Sequence, residues 1–171
     1  MPDEVQRPAP LQPMEAPKTG KGKLIATAGA VGAAALLGLL QPWEGKSNHP
    51  YKDIVGVWTV CYGETRVEMK RYSDAECEDM LADASDGFAK GVLAATPRLK
   101  GHPYQLAAAT SLAYNIGLRA YAGSTADKRF DAGDFRGGCA AITSWNRAGG
   151  KVRKGLQNRR AAEYRVCMTG L

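Results

Sequence analysis

Two carboxylates and a hydroxyl group lie close together in the first part of this chain, at a spacing that suits hydrolysis of a sugar–sugar bond. Glu44 and Asp53 are nine residues apart, and Thr59 follows six residues later. This hydrolysis needs one carboxyl group that protonates the leaving oxygen. It also needs a second polar group, on the opposite face, that holds water or stabilises the oxocarbenium ion. Spacing alone also permits a purely structural interpretation, because most acidic residues only face solvent.

The residues around these three groups resemble the signature of the phage-type lysozymes, the endolysins of tailed bacteriophages. The shared positions are Glu44-Gly45, Tyr51-Lys52-Asp53, Gly56, Trp58-Thr59 and Gly63. Two further motifs follow in the family's order, Ser-Leu-Ala-Tyr-Asn-Ile-Gly over 111–117 and the segment 145–163, so that the resemblance covers about 44–168. One departure is Glu64, which stands where the family often has histidine. This carboxylate either changes the pH profile of the cleft or faces water.

The resemblance implies hydrolysis of the β-1,4 bond between N-acetylmuramic acid and N-acetylglucosamine in peptidoglycan, with inversion at the anomeric carbon. In this mechanism Glu44 is the general acid, and partial burial against apolar neighbours would keep it protonated. Asp53 stays ionised and stabilises positive charge or orients water, while Thr59 holds that water.

Four residues of the later motifs are candidates for contact with the glycan: Tyr114, Asn115, Trp145 and Arg160. Trp145 fits a core position better than a binding platform, and Tyr114 and Asn115 also have structural interpretations.

Two rival functions stay open. A lytic transglycosylase needs a single catalytic acid, so Asp53 and Thr59 argue against it. A non-catalytic, membrane-tethered wall-binding protein would not need the set of Glu44, Asp53 and Thr59 at all.

The net charge of +6 conceals an asymmetry. Residues 44–86 hold five Lys/Arg and ten Asp/Glu, whereas 87–171 hold fourteen Lys/Arg and four Asp/Glu. A basic half suits a polyanionic partner, and peptidoglycan with its peptide carboxylates is one. The sequence has no nucleic-acid motif, so a nucleic-acid partner is not expected. We expect a monomer that needs no cofactor.

The N-terminal part divides into two segments before a catalytic domain at 42–171. Residues 1–23, rich in proline and lysine, are predicted to form a flexible tail. Residues 24–40 carry no charge, and as a helix they would be about 25 Å long, slightly shorter than a hydrocarbon core of about 30 Å. Because alanine and glycine fill much of this run, segment 24–41 should enter a membrane but hold there weakly.

Three interpretations of this segment remain. A cleaved signal peptide would use the small residues 33–35, but the cut would leave 36–40 on the mature protein. A permanent anchor is disfavoured by the glycines. The third interpretation rests on a resemblance to the signal-anchor-release segment of certain endolysins. Such a segment inserts into the membrane uncleaved and later leaves it for the periplasm.

The flanking residues predict orientation and control. Lys18, Lys21 and Lys23 should keep the N-terminus cytoplasmic and place the enzyme on the periplasmic side of the inner membrane. Because Glu44 follows the apolar run by four residues, the tethered form should be inactive and release should activate it.

The sequence predicts an α+β, lysozyme-like fold that would position these candidates. This fold has a small antiparallel hairpin lobe and a larger helical lobe. We expect Glu44 on a short helix and both Asp53 and Thr59 on a hairpin. Strands are predicted at 57–61 and 66–70, around a turn at Gly63.

Local signals also place the helices. Ser73 and Glu76 form a capping-box pattern that opens a long helix, and this helix ends before Pro97. Pro103 and Gly117 bound the next helix. Two more are predicted over 131–142 and 155–168.

Four cysteines in a chain that leaves the cytoplasm predict two disulfides, for which three pairings are possible. We favour the local pairing, Cys61–Cys77 and Cys139–Cys167. A zinc site is disfavoured, because the sequence has neither a Cys-x-x-Cys motif nor clustered histidines. We therefore expect no metal.

Overall fold

The computed structural model describes residues 12–171, so the first eleven residues of the predicted tail lie outside the described residues. The elements are α1 (Gly20–Glu44), β1 (Ser47–Lys52), β2 (Trp58–Cys61), α2 (Asp74–Ala95), a 3₁₀ turn (Pro97–Leu99), α3 (Pro103–Ile116), α4 (Leu118–Tyr121), α5 (Thr125–Asp131), α6 (Phe135–Ile142), β3 (Arg147–Ala148), β4 (Lys151–Val152) and α7 (Lys154–Cys167). As predicted, the fold is mostly helical with small antiparallel strand pairs.

The helix boundaries of the larger lobe follow local sequence signals. At the start of α2, Ser73 and Glu76 bond to each other's backbone amides in a complete capping box. Helix α3 opens on Pro103 and stops at Gly117, whose φ of 89° favours glycine. The helix predicted over 131–142 begins later than expected, as α6 at Phe135, because Gly133 takes a φ of 83° and Asp134 caps the start; α5, which ends at Asp131, was not predicted.

The small lobe is built on the β1–β2 hairpin, in which Tyr51 pairs with Thr59 and Lys52 with Trp58. The predicted strand at 66–70 is wrong, since the partner of β2 comes before it in the chain. Strand β1 was not predicted because it contains Pro50. Proline has no amide hydrogen to donate to a neighbouring strand and therefore argues against a strand. An edge strand with a register irregularity between Ser47 and Tyr51 accommodates it.

Helix α1 carries a buried stripe with one residue every four positions. The stripe consists of Leu24, Ala28, Gly32, Leu36 and Leu40, all buried. Gly29, with a φ of 74°, divides α1 between Ala28 and Gly32, and within each part residues four apart lie on one face, which contacts the neighbouring helices α2 and α3. The apolar segment predicted to enter a membrane is therefore a central core helix of the folded lobe.

The small residues of this stripe allow α1 to approach its neighbours closely. A Cβ atom added at Gly32 would lie 3.4 Å from Pro103 of α3, and one added at Gly20 would overlap the Asp79 carbonyl of α2. The alanine and glycine content that weakens membrane insertion thus also serves packing. By length and composition, α1 is still apolar enough to cross a membrane, with a mean hydropathy of 1.8 over its most apolar window.

The basic start of α1 pairs with acidic side chains of α2. Lys21 Nζ lies 2.6 Å from Glu78 Oε2, and Lys23 Nζ lies 2.6 Å from Asp83 Oδ1. These lysines were predicted to belong to the tail, but the structure includes them in the helix.

Residues just before α1 lie along the small lobe. Met14 N donates to Arg66 O at 2.8 Å, and Ala16 packs on the core of this lobe. Disulfide Cys61–Cys77 joins the hairpin to α2, and Cys139–Cys167 joins α6 to α7. The structure thus forms the pairing that the sequence favoured.

Candidate active site

Glu44 ends α1 and continues its buried stripe, one turn beyond Leu40. Its Oε1 accepts a hydrogen bond of 2.9 Å from Arg159 Nη1 of α7. The Glu44 side chain is 22% exposed and that of Arg159 only 6%. A buried guanidinium therefore stands where apolar neighbours were expected. Among residues 12–171 no donor bonds to Oε2, so this oxygen remains open to a ligand.

Asp53 occupies the turn of the β1–β2 hairpin. Its Oδ1 accepts from the amides of Val55 and Val57, both at 2.9 Å, and its own amide donates to Val57 O. An aspartate that bonds to the backbone after it favours a tight turn and is held rigid by it. Within the described part of the chain Oδ2 accepts no hydrogen bond, so one carboxylate oxygen remains for water or a sugar.

Thr59 lies on β2 and is 4% exposed. Its Oγ1 donates to Val57 O at 3.1 Å, so Val57 links Thr59 to Asp53. Because the hydroxyl proton is used inside the protein, the oxygen lone pairs are left to accept a hydrogen bond from water. The hairpin begins three residues after Glu44, so one continuous segment carries all three groups.

A small cavity of about 130 Å³ lies between the small lobe and the helices α2 and α3, and Glu44, Asp53 and Thr59 are not among its lining residues. Tyr114, Glu64 and Arg66 are among its lining residues. Burial, together with the negative charges of Glu44 and Glu64, raises the pKa of Tyr114 to about 12. The hydroxyl of Tyr114 therefore keeps its proton at neutral pH and can act as a donor.

Glu64 does not simply face water, since its side chain is only 9% exposed and pairs with Arg66. Arg66 Nε and Nη2 donate to the two carboxylate oxygens, each at 2.9 Å. Burial by itself raises the pKa of Glu64, but the hydrogen bonds and charge of Arg66 outweigh it and hold the pKa below its ordinary value. At the position where the family often has histidine, this chain therefore has Glu64, which forms an ion pair with Arg66 at the wall of the cavity.

The other residues that were predicted to contact the glycan differ in how exposed they are. Asn115 is exposed at the end of α3 and is available to a ligand. Trp145 is half-buried and packs against the helical core. Arg160 is only 1% exposed, which leaves no room for the direct glycan contact that was expected. It donates instead to Asn115 Oδ1 at 2.6 Å.

Apart from placing them in the lysozyme-like segment 145–163, the sequence did not single out Arg159 and Glu163, which lie behind the candidate site. Glu163 is 0% exposed and accepts from Ser111 Oγ at 2.7 Å. The only sequence signal is a pair of arginines followed by a glutamate three and four positions later. This spacing also fits a solvated helix face, so it does not indicate burial.

Solved structures resemble this fold closely. The endolysin from Escherichia coli O157:H7 phage FAHEc1 superimposes with a TM-score of 0.67 at 27% identity, covering 84% of this chain and 94% of that one. The active form of P1 phage endolysin Lyz gives a TM-score of 0.62 at 22% identity, covering 92% and 97%, which supports the fold alone.

Sequence relatives cover the same region. The SAR-endolysin of Enterobacteria phage P21 is 39% identical over 132 residues, covering 74% of this chain and 78% of the relative. That of Escherichia phage Mu is 42% identical over 122 residues, covering 68% and 69%. The family model for phage lysozyme matches residues 41–163, and the chain therefore belongs to the phage lysozyme family.

Proposed function

We propose that this protein is a signal-anchor-release endolysin that hydrolyses the β-1,4 bond between N-acetylmuramic acid and N-acetylglucosamine in host peptidoglycan, and so lyses the host cell. Membership of the phage lysozyme family supports the reaction class. The observation that carries the assignment to residues is the placement of Glu44, whose carboxyl is held by Arg159 through one oxygen and left open at the other.

The chemistry divides among three groups. Glu44 donates a proton from Oε2 to the glycosidic oxygen as that bond breaks. Asp53, fixed through Oδ1 by the turn, offers its second oxygen to the positive charge on the anomeric carbon or to the attacking water. Thr59 accepts a hydrogen bond from that water. Attack from the face opposite the leaving group inverts the anomeric centre, and the proton that the water loses passes to the Asp53 carboxylate or to solvent.

Substitution of Glu44 by glutamine tests this assignment, because an amide cannot donate the proton as an acid does. We expect release of reducing ends from purified peptidoglycan to fall about 100-fold or more, with an unchanged circular dichroism spectrum. Glu68→Gln, at an exposed carboxylate, is the matched control. If Glu44→Gln keeps more than a tenth of the activity, Glu44 is not the acid.

The sugar products test the reaction type. Hydrolysis gives a reducing N-acetylmuramic acid end, whereas a transglycosylase gives an anhydro sugar that is lighter by one water. An inverting enzyme releases the α anomer first. Release of the β anomer would contradict the inverting assignment.

The same helix supports control by the membrane. While residues 24–40 span a bilayer, Leu24, Leu36, Leu39 and Leu40 cannot fill the core between α2 and α3. Each buried leucine contributes about 1.5–3 kcal/mol, and a whole domain is stable by only about 5–15 kcal/mol. The tethered lobe therefore lacks much of its stability, and Glu44 is kept away from Arg159.

Localisation follows from this cycle. The chain enters the inner membrane with its lysines on the cytoplasmic side and its catalytic lobe in the periplasm. On release, Lys21 and Lys23 cross the membrane and pair with Glu78 and Asp83 of α2. Loss of membrane potential favours this exit, since the field acts on each charge by about 2.3 kcal/mol per 100 mV.

Gly38→Leu tests the control mechanism without disturbing the folded enzyme. A Cβ atom at Gly38 meets nothing within 4 Å, so the released fold accepts a side chain there, whereas the bilayer gains an apolar group. We expect a larger membrane fraction and delayed lysis, with normal activity of the protein once released. Gly87→Leu on α2, also in open space, is the control. Normal lysis timing by Gly38→Leu while it stays in the membrane would mean that the tethered form is active.

A further inference from the structure

Glu163 is a fully buried carboxylate that no step of the reaction uses. It lies on α7 at 0% exposure and faces two arginines of the same helix. Arg159 Nε lies 3.4 Å from Oε1, and Arg160 Nε lies 3.2 Å from Oε2. Ser111 of α3 donates to Oε1 at 2.7 Å. A buried carboxylate is costly unless it is paired; Ser111 and Arg159 bond to Oε1, whereas Oε2 has the ionic contact with Arg160 but no hydrogen bond within the described residues.

Each arginine reaches from Glu163 toward a different part of the candidate site. Arg159 extends to Glu44 Oε1, at 2.9 Å. Arg160 extends to Asn115 Oδ1, at 2.6 Å. Both arginine residues are nearly inaccessible, at 5% and 1% exposure for the whole residue, so neither is placed to contact a glycan itself. Glu44 and Asn115 are the outer ends of the two arms, and Glu163 is the point where the arms meet.

We propose that Glu163 is a positioning residue for the proposed hydrolysis: it orients the general acid Glu44 through Arg159 and the exposed amide of Asn115 through Arg160. The proposal rests on the proposed function, because it assigns Glu44 and Asn115 their roles. It adds that one buried carboxylate, that of Glu163, orients both of these residues.

The geometry explains why the arms need a common anchor. An arginine side chain has four rotatable bonds and binds firmly only when its planar fork is held on more than one side. Arg159 is held by Glu163 at Nε, by Glu44 at Nη1 and by the Ser111 carbonyl, 3.5 Å from Nη2. Without Glu163, Arg159 retains its contacts to Glu44 and to the Ser111 carbonyl. It loses the contact at Nε, the atom through which the guanidinium is attached to the side chain.

The arrangement of charge argues in the same direction. Two buried arginines face Glu163 and the partly exposed Glu44. Removal of the Glu163 carboxylate leaves Arg159 with Glu44 as its carboxylate partner and leaves Arg160 with none among the described residues. Arg160 would then no longer be held in place beside Asn115, and Glu44 would be bound by an arginine that is itself less firmly held.

Glu163→Gln is the test, since it removes the charge and keeps the size. We expect kcat on soluble peptidoglycan fragments to fall at least tenfold, because a general acid displaced by about 1 Å can lose up to 100-fold. KM should rise several-fold through the Asn115 arm. Both values are measured at a temperature where the variant is folded and are normalised to the folded fraction.

Asp127→Asn is the matched control for a merely structural effect. Asp127 is also buried and accepts from Thr96 Oγ1 at 2.6 Å and from the Gly123 amide at 2.7 Å, but no described contact joins it to Glu44 or Asn115. It should lower Tm and leave kcat and KM of the folded protein unchanged. If Glu163→Gln behaves in the same way, Glu163 is only structural and the proposal is wrong.

Ser111→Ala gives a milder variant for the case in which Glu163→Gln does not fold. It removes one hydrogen bond to Glu163 Oε1 and leaves the charge. We expect a two- to fivefold loss of kcat with the fold retained, and an unchanged kcat would overturn the proposal. The proposed function fails separately: it fails if the unaltered protein releases no reducing ends, whatever the variants do.

Discussion

Arg159 Nη1 lies 2.9 Å from Glu44 Oε1 and thereby joins the first helix of the described structure to the last, across 115 positions of the chain. Glu44 reaches this contact only because the stripe that ends at Leu40 is buried against α2 and α3. One helix thus serves as a candidate membrane segment, as part of the core and as the support of the proposed catalytic acid.

Arg159→Lys should lower activity although it keeps the positive charge. A lysine ammonium is a single point charge, whereas the guanidinium bonds to Glu44 and Glu163 at once. We expect kcat to fall roughly tenfold to 100-fold through misplacement of Glu44, as measured by release of reducing ends. Arg153→Lys, an exposed change on the loop before α7, should leave kcat unaltered. Equal rates for the two variants would contradict a positioning contact.

Gly29→Ala should destabilise the released enzyme and shift the balance toward the inserted form. Gly29 interrupts α1 with φ 74° and ψ 163°, a conformation that non-glycine residues avoid at a cost of about 1–3 kcal/mol. A straight helix in the bilayer needs no such angle, so alanine favours the inserted form. Urea unfolding of the released protein measures the loss.

Gly38→Ala is the control for Gly29→Ala, because a Cβ atom meets nothing within 4 Å at either position and only Gly29 has a positive φ. Gly38→Ala should be neutral or slightly stabilising, through the better helix propensity of alanine. If both variants unfold at the same urea concentration, the bend at Gly29 is not required by the released fold.

Glu64→Gln should make stability less dependent on pH. The folded pKa of Glu64 lies below its ordinary value because Arg66 outweighs the effect of burial. A carboxylate of this kind stabilises the fold above its unfolded pKa, near 4.3, and the stabilisation is lost as the pH falls through the folded value. The difference in Tm between the wild type and Glu64→Gln should therefore be present at pH 7 and vanish in strong acid. A difference that stays constant across this range would contradict the ion pair.

Loss of the disulfides should lower stability and the yield of active enzyme. The Cys61–Cys77 and Cys139–Cys167 loops span 16 and 28 residues. In the chain-entropy model, closing loops of this size stabilises by about 3 kcal/mol each. Chemical denaturation of the Cys139→Ala/Cys167→Ala protein measures the second contribution. Free-thiol counting on periplasmic protein checks the premise, and four reactive thiols there would contradict it.

The sequence by itself determined the elements whose signals are local. The capping box at Ser73 places the start of α2, Pro103 and Gly117 bound α3, and the spacing of the cysteines favours the observed pairing. The sequence also indicated the set of Glu44, Asp53 and Thr59, because one continuous segment carries all three. Local patterns failed where a strand tolerates a proline, as at Pro50 in β1, and where the helix predicted over 131–142 begins only after Gly133, which has a positive φ.

Only the tertiary structure decided what surrounds the catalytic candidates. An apolar run such as 24–40 has the same composition in lipid and in a protein core, so the sequence does not show that Leu36 and Leu40 pack against α2 and α3. Likewise, Arg159, Arg160 and Glu163 have the spacing of a solvated helix face. Their burial and their contacts to Glu44 and Asn115 depend on α1 and α3 meeting α7, which lies far away in the chain. Such long-range contacts set the charge and exposure of a site, because desolvation depends on every element packed around a group rather than on its neighbours in sequence.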